Sequence, residues 1–154
     1  MFLLFMIHLT KSQSETINLG KKIASQFKGG EIILLEGDLG AGKTTFTKGI
    51  AKYFDIKDTI TSPTFTLMNI YEIKNQKSIS LSNKQKIKNL VHIDTYRLEN
   101  EDDLIEIGAE DYLGDPNTIC LIEWPEKIKK LIQNKKTIKI KIEHLAANRK
   151  ITIK

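Results

Sequence analysis

The segment Gly37-Asp-Leu-Gly-Ala-Gly-Lys-Thr-Thr45 holds the residue types that binding a polyanion requires. Gly37 and Gly42 bracket four residues and are followed at once by Lys43 and Thr44, which completes the pattern Gly-x-x-x-x-Gly-Lys-Thr of a phosphate-binding loop. Glycines let successive backbone N–H groups turn toward anionic oxygens, where a side chain would stand in the way. A lysine at this position supplies a point charge for the β and γ oxygens of a nucleotide, and the Thr44 hydroxyl can ligate Mg²⁺. The plain alternative is a glycine turn beside a stray lysine, and the flanking residues speak against it. Ile32-Ile-Leu-Leu35 before the loop reads as a strand buried on both faces, and Phe46, Ile50 and Tyr53 after it share one face of a helix. A helix that starts here turns its positive end toward the same phosphates.

Such a loop needs an acidic group for its metal, carried at the end of a neighbouring strand. Two positions qualify: Glu123, which ends Ile119-Cys-Leu-Ile122, and Asp94, which ends Leu90-Val-His-Ile93. Either carboxylate alone reads equally well as a cap for the next element, but two such strands beside one phosphate loop favour the functional reading of both. Glu123 is assigned to Mg²⁺ through water, and Asp94, with Lys43, to the catalytic group, where it positions or activates the attacking water. His92 precedes Asp94 by two residues and so shares its face; it is either a phosphate sensor or a hydrogen-bonded structural histidine. Ser62-Pro-Thr64 lies between the phosphate-loop helix and the next strand. There, Thr64 either reaches the metal when a γ-phosphate is bound or belongs to an ordinary turn. Arg97 either neutralises developing charge or pairs with the acidic residues Glu99 to Asp103.

The elements that must position these groups follow from periodicity. Ser12-Gln-Ser-Glu15 has capping-box spacing, Ile17, Ala24 and Phe27 recur at helical intervals, and Lys28-Gly-Gly30 is the expected stop. Thr61 to Tyr71 reads as a loop leading into a strand, and Leu90–Asp94 and Thr118–Glu123 as buried strands. Thr137–Glu143 and Arg149–Ile153 read as a terminal hairpin around His144-Leu-Ala-Ala-Asn148. Ile73 to Asn89, rich in Lys, Asn, Ser and Gln, reads as a surface excursion between strands. The expectation is one α/β domain over residues 1–154, a three-layer fold with a mostly parallel central sheet and a C-terminal β-hairpin.

Composition narrows the class. With 154 residues, 40% of them hydrophobic and 28% charged, the chain can bury a core without disulfide staples. Cys120 is the only cysteine, which suits a reducing compartment. The apolar start Met1–Ile7 lacks a basic leading region and a small-residue cleavage site, and it is too short to span a bilayer. It is expected as an edge strand feeding the core, and the protein as cytoplasmic, away from membranes. Net charge is +5, unevenly spread: eight acidic and no basic residues from Glu99 to Asp115, then ten basic against two acidic from Glu126 to Lys154. The basic third is either an RNA footprint or a strand, Thr137–Glu143, whose Lys139 and Lys141 form the wet face of a protected sheet edge.

Taken in order, Gly37–Thr45, Ser62-Pro-Thr-Phe65, His92-Ile-Asp-Thr-Tyr-Arg97, Glu106-Ile-Gly108 and Ile122-Glu-Trp-Pro125 resemble the bacterial TsaE family, also called YjeE. The match runs from about Ser12 to Pro125. The resemblance implies an ATPase needed to form N6-threonylcarbamoyladenosine at position 37 of tRNA, associated with TsaD and TsaB, with tRNA reached through that complex. It implies that Gly40, Ala41, Gly42, Lys43, Thr44 and Thr45 hold phosphate, that Thr44 and Glu123 hold Mg²⁺, and that Gln13 lies near the nucleotide. It also places Asp94 on the family's important acidic position and Trp124 after the metal glutamate; Ser62, Thr64, Arg97 and Trp124 are read as the groups that couple nucleotide to partner, since γ-phosphate and Mg²⁺ can order such loops. The segment Ile73–Asn89 is longer than the family pattern. Alternatives are a small-metabolite or nucleotide kinase and a non-catalytic RNA-binding module. The first normally brings an arginine-rich lid, whereas Arg97 and Arg149 are the only arginines here, and the second would want an aromatic stacking platform.

Overall fold

The computed structural model describes residues 5–74 and 86–154. Its elements are β1 (Met6–Thr10), α1 (Gln13–Ala24), β2 (Ile32–Glu36), α2 (Lys43–Tyr53), β3 (Met68–Glu72), β4 (Asn89–Asp94), α3 (Asp102–Glu106), β5 (Thr118–Glu123), α4 (Lys129–Ile132), β6 (Thr137–Leu145) and β7 (Asn148–Ile153). Short 3₁₀ turns at Ala109–Asp111 and Pro125–Ile128 complete the helical layer around α3 and α4.

The strands form one sheet in the order β1-β7-β6-β2-β5-β4-β3. The middle four, β6, β2, β5 and β4, run parallel, and antiparallel pairs close both sides: β6–β7–β1 at one, β3–β4 at the other. This is the expected α/β architecture, with its parallel centre and C-terminal hairpin. The parallel strands are apolar on both faces because each face is covered. All six residues of β5 are buried, and alternate residues of β2, β4 and β5 feed two separate cores. One core packs Ile33, Leu35, Leu90 and Leu121 against Phe46, Ile50, Ile23 and Phe54 of the α1–α2 layer. The other packs Ile32, Val91, Ile93 and Ile122 under Leu104, Leu113 and Ile128.

Helix α1 starts as its sequence predicts. Ser12 Oγ accepts from Glu15 N at 3.1 Å, while the Glu15 carboxylate accepts from Lys11 N at 2.7 Å. Its end differs from expectation: the helix stops at Ala24, and Ser25 Oγ donates to the Lys22 carbonyl at 2.7 Å. A serine bonding back to its own turn offers the chain a way out of the helix before the glycines are reached. Helices α1 and α2 then cross at two glycines. A Cβ on Gly20 would meet the Phe46 carbonyl oxygen at 2.4 Å, and one on Gly49 would meet the Ile17 carbonyl oxygen at 2.2 Å. Any larger residue forces the helices apart and shifts the start of α2, where the phosphate loop ends.

Two further expectations need correction, and the edge strand expected at the start of the chain is met in part. Strand β6 lies between β2 and β7, so Lys139 and Lys141 line a sheet face rather than protect an edge. The expected edge strand is present as β1, one of the two sheet edges, with residues 1–4 outside the described residues; Met6 packs against the core and Thr10 is buried, while Ile7 and Leu9 are exposed. The alternation in β1 therefore has its second apolar row outside. The stretch expected as a surface excursion is anchored at both ends: Ile73 and Ile87 are buried, and Ile73 N donates to the Lys88 carbonyl at 2.8 Å. Its middle, 75–85, lies outside the described residues.

Candidate functional site

In an open parallel sheet the crevice lies beyond the carboxyl ends of the strands. Here β2 ends at Glu36, β4 at Asp94 and β5 at Glu123, so one edge of the sheet delivers the loop and both carboxylates together. Asp94 and Glu123 are register partners on β4 and β5, and β5 pairs with β2, Leu35 opposite Glu123.

The loop turns into α2 at Gly42, whose φ of 112° lies in the region that favours glycine. Among the described residues no side chain caps α2, and the residues of its first turn, Lys43, Thr44 and Thr45, line the cavity at the helix's positive end. Lys43 is 6% exposed. Its ammonium donates to the carbonyls of Gly37 (2.5 Å) and Asp38 (3.1 Å) and lies 4.8 Å from the centroid of the Trp124 ring. Those contacts hold the charge across the mouth of the loop.

The two carboxylates are almost fully buried, so each needs partners. Glu123 Oε1 stands 2.8 Å from His92 Nε2, and because a carboxylate only accepts, Nε2 is the protonated nitrogen. This answers the alternatives for His92: it is a hydrogen-bonded histidine, and the group it holds is the expected metal glutamate. Among the described residues the second oxygen of Glu123 has no hydrogen bond, and Glu123 lines the same cavity as Thr44. Asp94 Oδ2 accepts from Ser62 Oγ (2.8 Å) and Thr64 Oγ1 (3.0 Å), and its Oδ1 accepts from Tyr96 N (2.8 Å). Ser62-Pro-Thr64 is thus tied to the end of β4.

Trp124 follows β5 with φ 58° and ψ 50°, a left-handed conformation costing on the order of 1 kcal/mol for a non-glycine residue. The neighbourhood holds it there. Thr95 Oγ1 donates toward the carbonyls of Glu123 (3.0 Å) and Trp124 (2.5 Å), and the Tyr96 and Trp124 ring centroids are 5.0 Å apart. The turn lays the indole beside the Lys43 ammonium.

A cavity of about 560 Å³ joins these parts. Of the residues expected at the site, Gln13, Gly40, Gly42, Lys43, Thr44, Thr45, Ser62, Thr64, Asp94, Arg97, Glu123 and Trp124 line it. Gly37 and Ala41 do not: Gly37 presents its carbonyl to Lys43, and the Ala41 side chain is buried beneath the loop. Arg97 lies with its guanidinium 4.3 Å from the centroid of the Phe65 ring, and the ion pairs among the described residues do not include it.

Leu39, Phe65, Tyr96 and Arg149 also line the cavity and were not foreseen there. Phe65 and Tyr96 stand inside motifs already singled out, so their neighbours were the available signal. Arg149 had none in the local sequence, because it arrives on β7 through its hairpin with β6, which in turn pairs with β2. The oxygens that line the cavity, hydroxyls of Thr44, Ser62 and Thr64 and carboxylates of Asp94 and Glu123, are the donors a hard cation takes, although no group of three or more His, Cys, Asp or Glu that could by itself hold a metal ion occurs among the described residues. Cys120 takes no part, since burial pushes its thiol up to about 12 and leaves it without nucleophilic thiolate near neutrality. No helix among the described residues is long and apolar enough to cross a membrane.

Comparison with known proteins agrees with this geometry. The profile of a family described as "Threonylcarbamoyl adenosine biosynthesis protein TsaE" matches residues 10–151. The tRNA threonylcarbamoyladenosine biosynthesis protein TsaE of Rickettsia typhi is 40% identical over 127 residues, covering 82% of this chain and 78% of that protein. The protein of the same description from Treponema pallidum is 33% identical over 146 residues, covering 94% and 97%. The crystal structure of Bacillus subtilis YdiB superposes with a TM-score of 0.71 at 29% identity, covering 99% of this chain and 86% of that one. With the profile spanning nearly its whole length and a relative 33% identical over 94% of it, this chain belongs to the TsaE family.

Proposed function

We propose that this protein is a Mg²⁺-dependent ATPase that supports formation of N6-threonylcarbamoyladenosine at position 37 of tRNA, acting with TsaD and TsaB. Membership of the TsaE family supports the role in tRNA threonylcarbamoyladenosine biosynthesis. The observation that carries the ATPase reading is the convergence of an uncapped α2 start, buried Lys43 and two buried carboxylates on one cavity.

In this reading the loop amides and Lys43 bind the phosphates, and Thr44 and Glu123 hold Mg²⁺, Glu123 through water. Bound Mg²⁺ would neutralise charge on the β and γ oxygens. Asp94 orients the attacking water and takes its proton, while Gln13 lies beside the nucleotide. Ser62 and Thr64 reach the Asp94 carboxylate from a separate loop, and Arg97 and Trp124 line the same cavity, so these four are the groups through which nucleotide is read by a partner. The reaction is hydrolysis, because the cavity offers Asp94 for water and the chain has no arginine-rich lid for an acceptor substrate. TsaD and TsaB would supply what the site lacks for fast turnover, tRNA being met through them in the cytoplasm.

The test begins with Lys43→Ala. Nucleotide affinity and phosphate release should both fall, hydrolysis by about a hundredfold or more, while the melting temperature without nucleotide stays within a few degrees. Adding purified TsaD and TsaB to the unaltered protein should raise phosphate release severalfold. Full hydrolysis by Lys43→Ala, or brisk turnover indifferent to the pair, overturns the reading.

A further inference from the structure

The phosphate loop is held from outside by the C-terminal hairpin. Strand β6 pairs in parallel with β2 as far as Lys141 opposite Glu36, then continues four residues further, to Leu145, alongside the loop that β2 feeds. There His144 and Arg149, register partners across the hairpin, both reach it. His144 Nε2 lies 2.8 Å from the carbonyl oxygen of Gly40, and Arg149 Nε donates to that of Ala41 at 3.0 Å. Two adjacent loop carbonyls are thus each engaged by a hairpin side chain.

A peptide unit is planar, and no cis peptide bond interrupts this loop. Fixing a carbonyl therefore fixes the next N–H to point the opposite way. The Ala41 carbonyl held by Arg149 sets the direction of the Gly42 N–H, which has no partner among the described residues and sits at the mouth of α2. The Gly40 carbonyl held by His144 sets the Ala41 N–H, which closes the turn onto the Asp38 carbonyl at 3.0 Å. Arg149 also packs against Gly42: a Cβ there would come 2.9 Å from Nε and 3.2 Å from Cδ. Gly42 is needed for its φ and equally for the room it leaves this side chain. Arg149 lines the same cavity as Lys43 and Arg97, so it adds a further positive charge to the wall.

We propose that Arg149, seconded by His144, is a positioning residue of the nucleotide site: it pins the Ala41 carbonyl so that the Gly42 N–H is aimed at phosphate, and its charge favours the anion. This deepens the ATPase reading and rests on it. The element responsible is the far end of the chain, more than a hundred residues from the loop it holds.

The experiment measures binding of Mg²⁺–ATP, Mg²⁺–GTP and inorganic tripolyphosphate to the full chain and to Arg149→Ala, His144→Ala and the double variant, with melting temperatures taken without ligand. Arg149→Ala should bind all three ligands about tenfold more weakly, as loss of a charged hydrogen bond implies, and His144→Ala about threefold. Equal losses for ATP and tripolyphosphate are the mark of the phosphate half of the site. A role confined to hairpin stability would lower melting temperature and leave the affinity of the folded protein unchanged, which overturns the proposal. So would a loss seen with ATP but absent with tripolyphosphate. Should Arg149→Ala fail to fold, an unchanged tripolyphosphate affinity in His144→Ala, whose side chain is exposed, would overturn it and a threefold loss would support it. If the unaltered protein binds none of the three, the ATPase reading itself falls; if it binds and the double variant binds equally well, only this inference does.

Discussion

Glu123 and Asp94 stand opposite each other on adjacent strands, yet their surroundings differ. Glu123 is held from within the sheet: His92 is fully buried on β4, and the Glu123 carbonyl accepts from the backbone and the hydroxyl of Thr95 at 3.2 and 3.0 Å. Asp94 is held on one oxygen by the Tyr96 N–H just past its own strand and on the other from outside the sheet, by two hydroxyls on a loop about thirty residues earlier, one of them exposed. Equivalent positions at two strand ends thus give one carboxylate fixed by the core and one whose environment changes whenever the 62–64 loop moves. A fixed oxygen suits a metal, which needs constant geometry. A loop-dependent one suits a chemical step that is to be gated.

The sharpest way to break this contrast is Asp94→Ala. If Asp94 serves only the water step, phosphate release should fall on the order of 10²- to 10⁴-fold while ATP affinity stays within about threefold. Equilibrium binding and single-turnover hydrolysis on one preparation check both halves. A large loss of affinity with turnover of bound ATP unchanged would merge the two carboxylates into one binding role.

A smaller effect is expected from Glu123→Gln, which can still accept from His92 but carries no charge. The Mg²⁺ concentration giving half-maximal ATP binding should rise about tenfold, with little change in the absence of metal. A Mg²⁺ titration of binding reads this directly. An unchanged midpoint would remove Glu123 from the metal and leave it as the partner that His92 needs.

The contrast also shows what local pattern carries and what it does not. Loop, following helix and the two strand-end carboxylates were legible because each is a short-range arrangement: glycine spacing, 3.6-residue periodicity, and apolar runs ended by an acid. The three-layer parallel core followed from the same runs. The pairing of His92 with Glu123 was not legible, since it requires knowing that β4 and β5 are neighbours in one register. Nor was the reach of Ser62 and Thr64 to Asp94, which is a loop packing rather than a periodic feature. The strand carrying Lys139 and Lys141 shows the same limit from the other side. Alternation identified a strand with one wet face, but only the β2–β6 pairing places it inside the sheet and brings Arg149 to the phosphate loop.

The smallest effect concerns how the 62–64 loop holds Asp94. Ser62 Oγ, Thr64 Oγ1 and Asp94 Oδ2 form a triangle with sides of 2.8, 3.0 and 2.9 Å. Two hydroxyls own two protons, so at most two of the three sides are hydrogen bonds at once. When both protons point to the carboxylate, the hydroxyl–hydroxyl contact has none. Removing one hydroxyl therefore relieves a competition as well as deleting a donor, and the survivor can give its whole proton to Oδ2. Ser62→Ala and Thr64→Val should each slow phosphate release only about two- to fivefold. The double variant leaves a buried carboxylate oxygen without its loop donors and should lose considerably more than the product of the single effects. A double-mutant cycle on single-turnover rates measures the excess. If the double effect equals that product, the two hydroxyls act independently, and the loop does not hold Asp94 as the shared unit that a gated carboxylate requires.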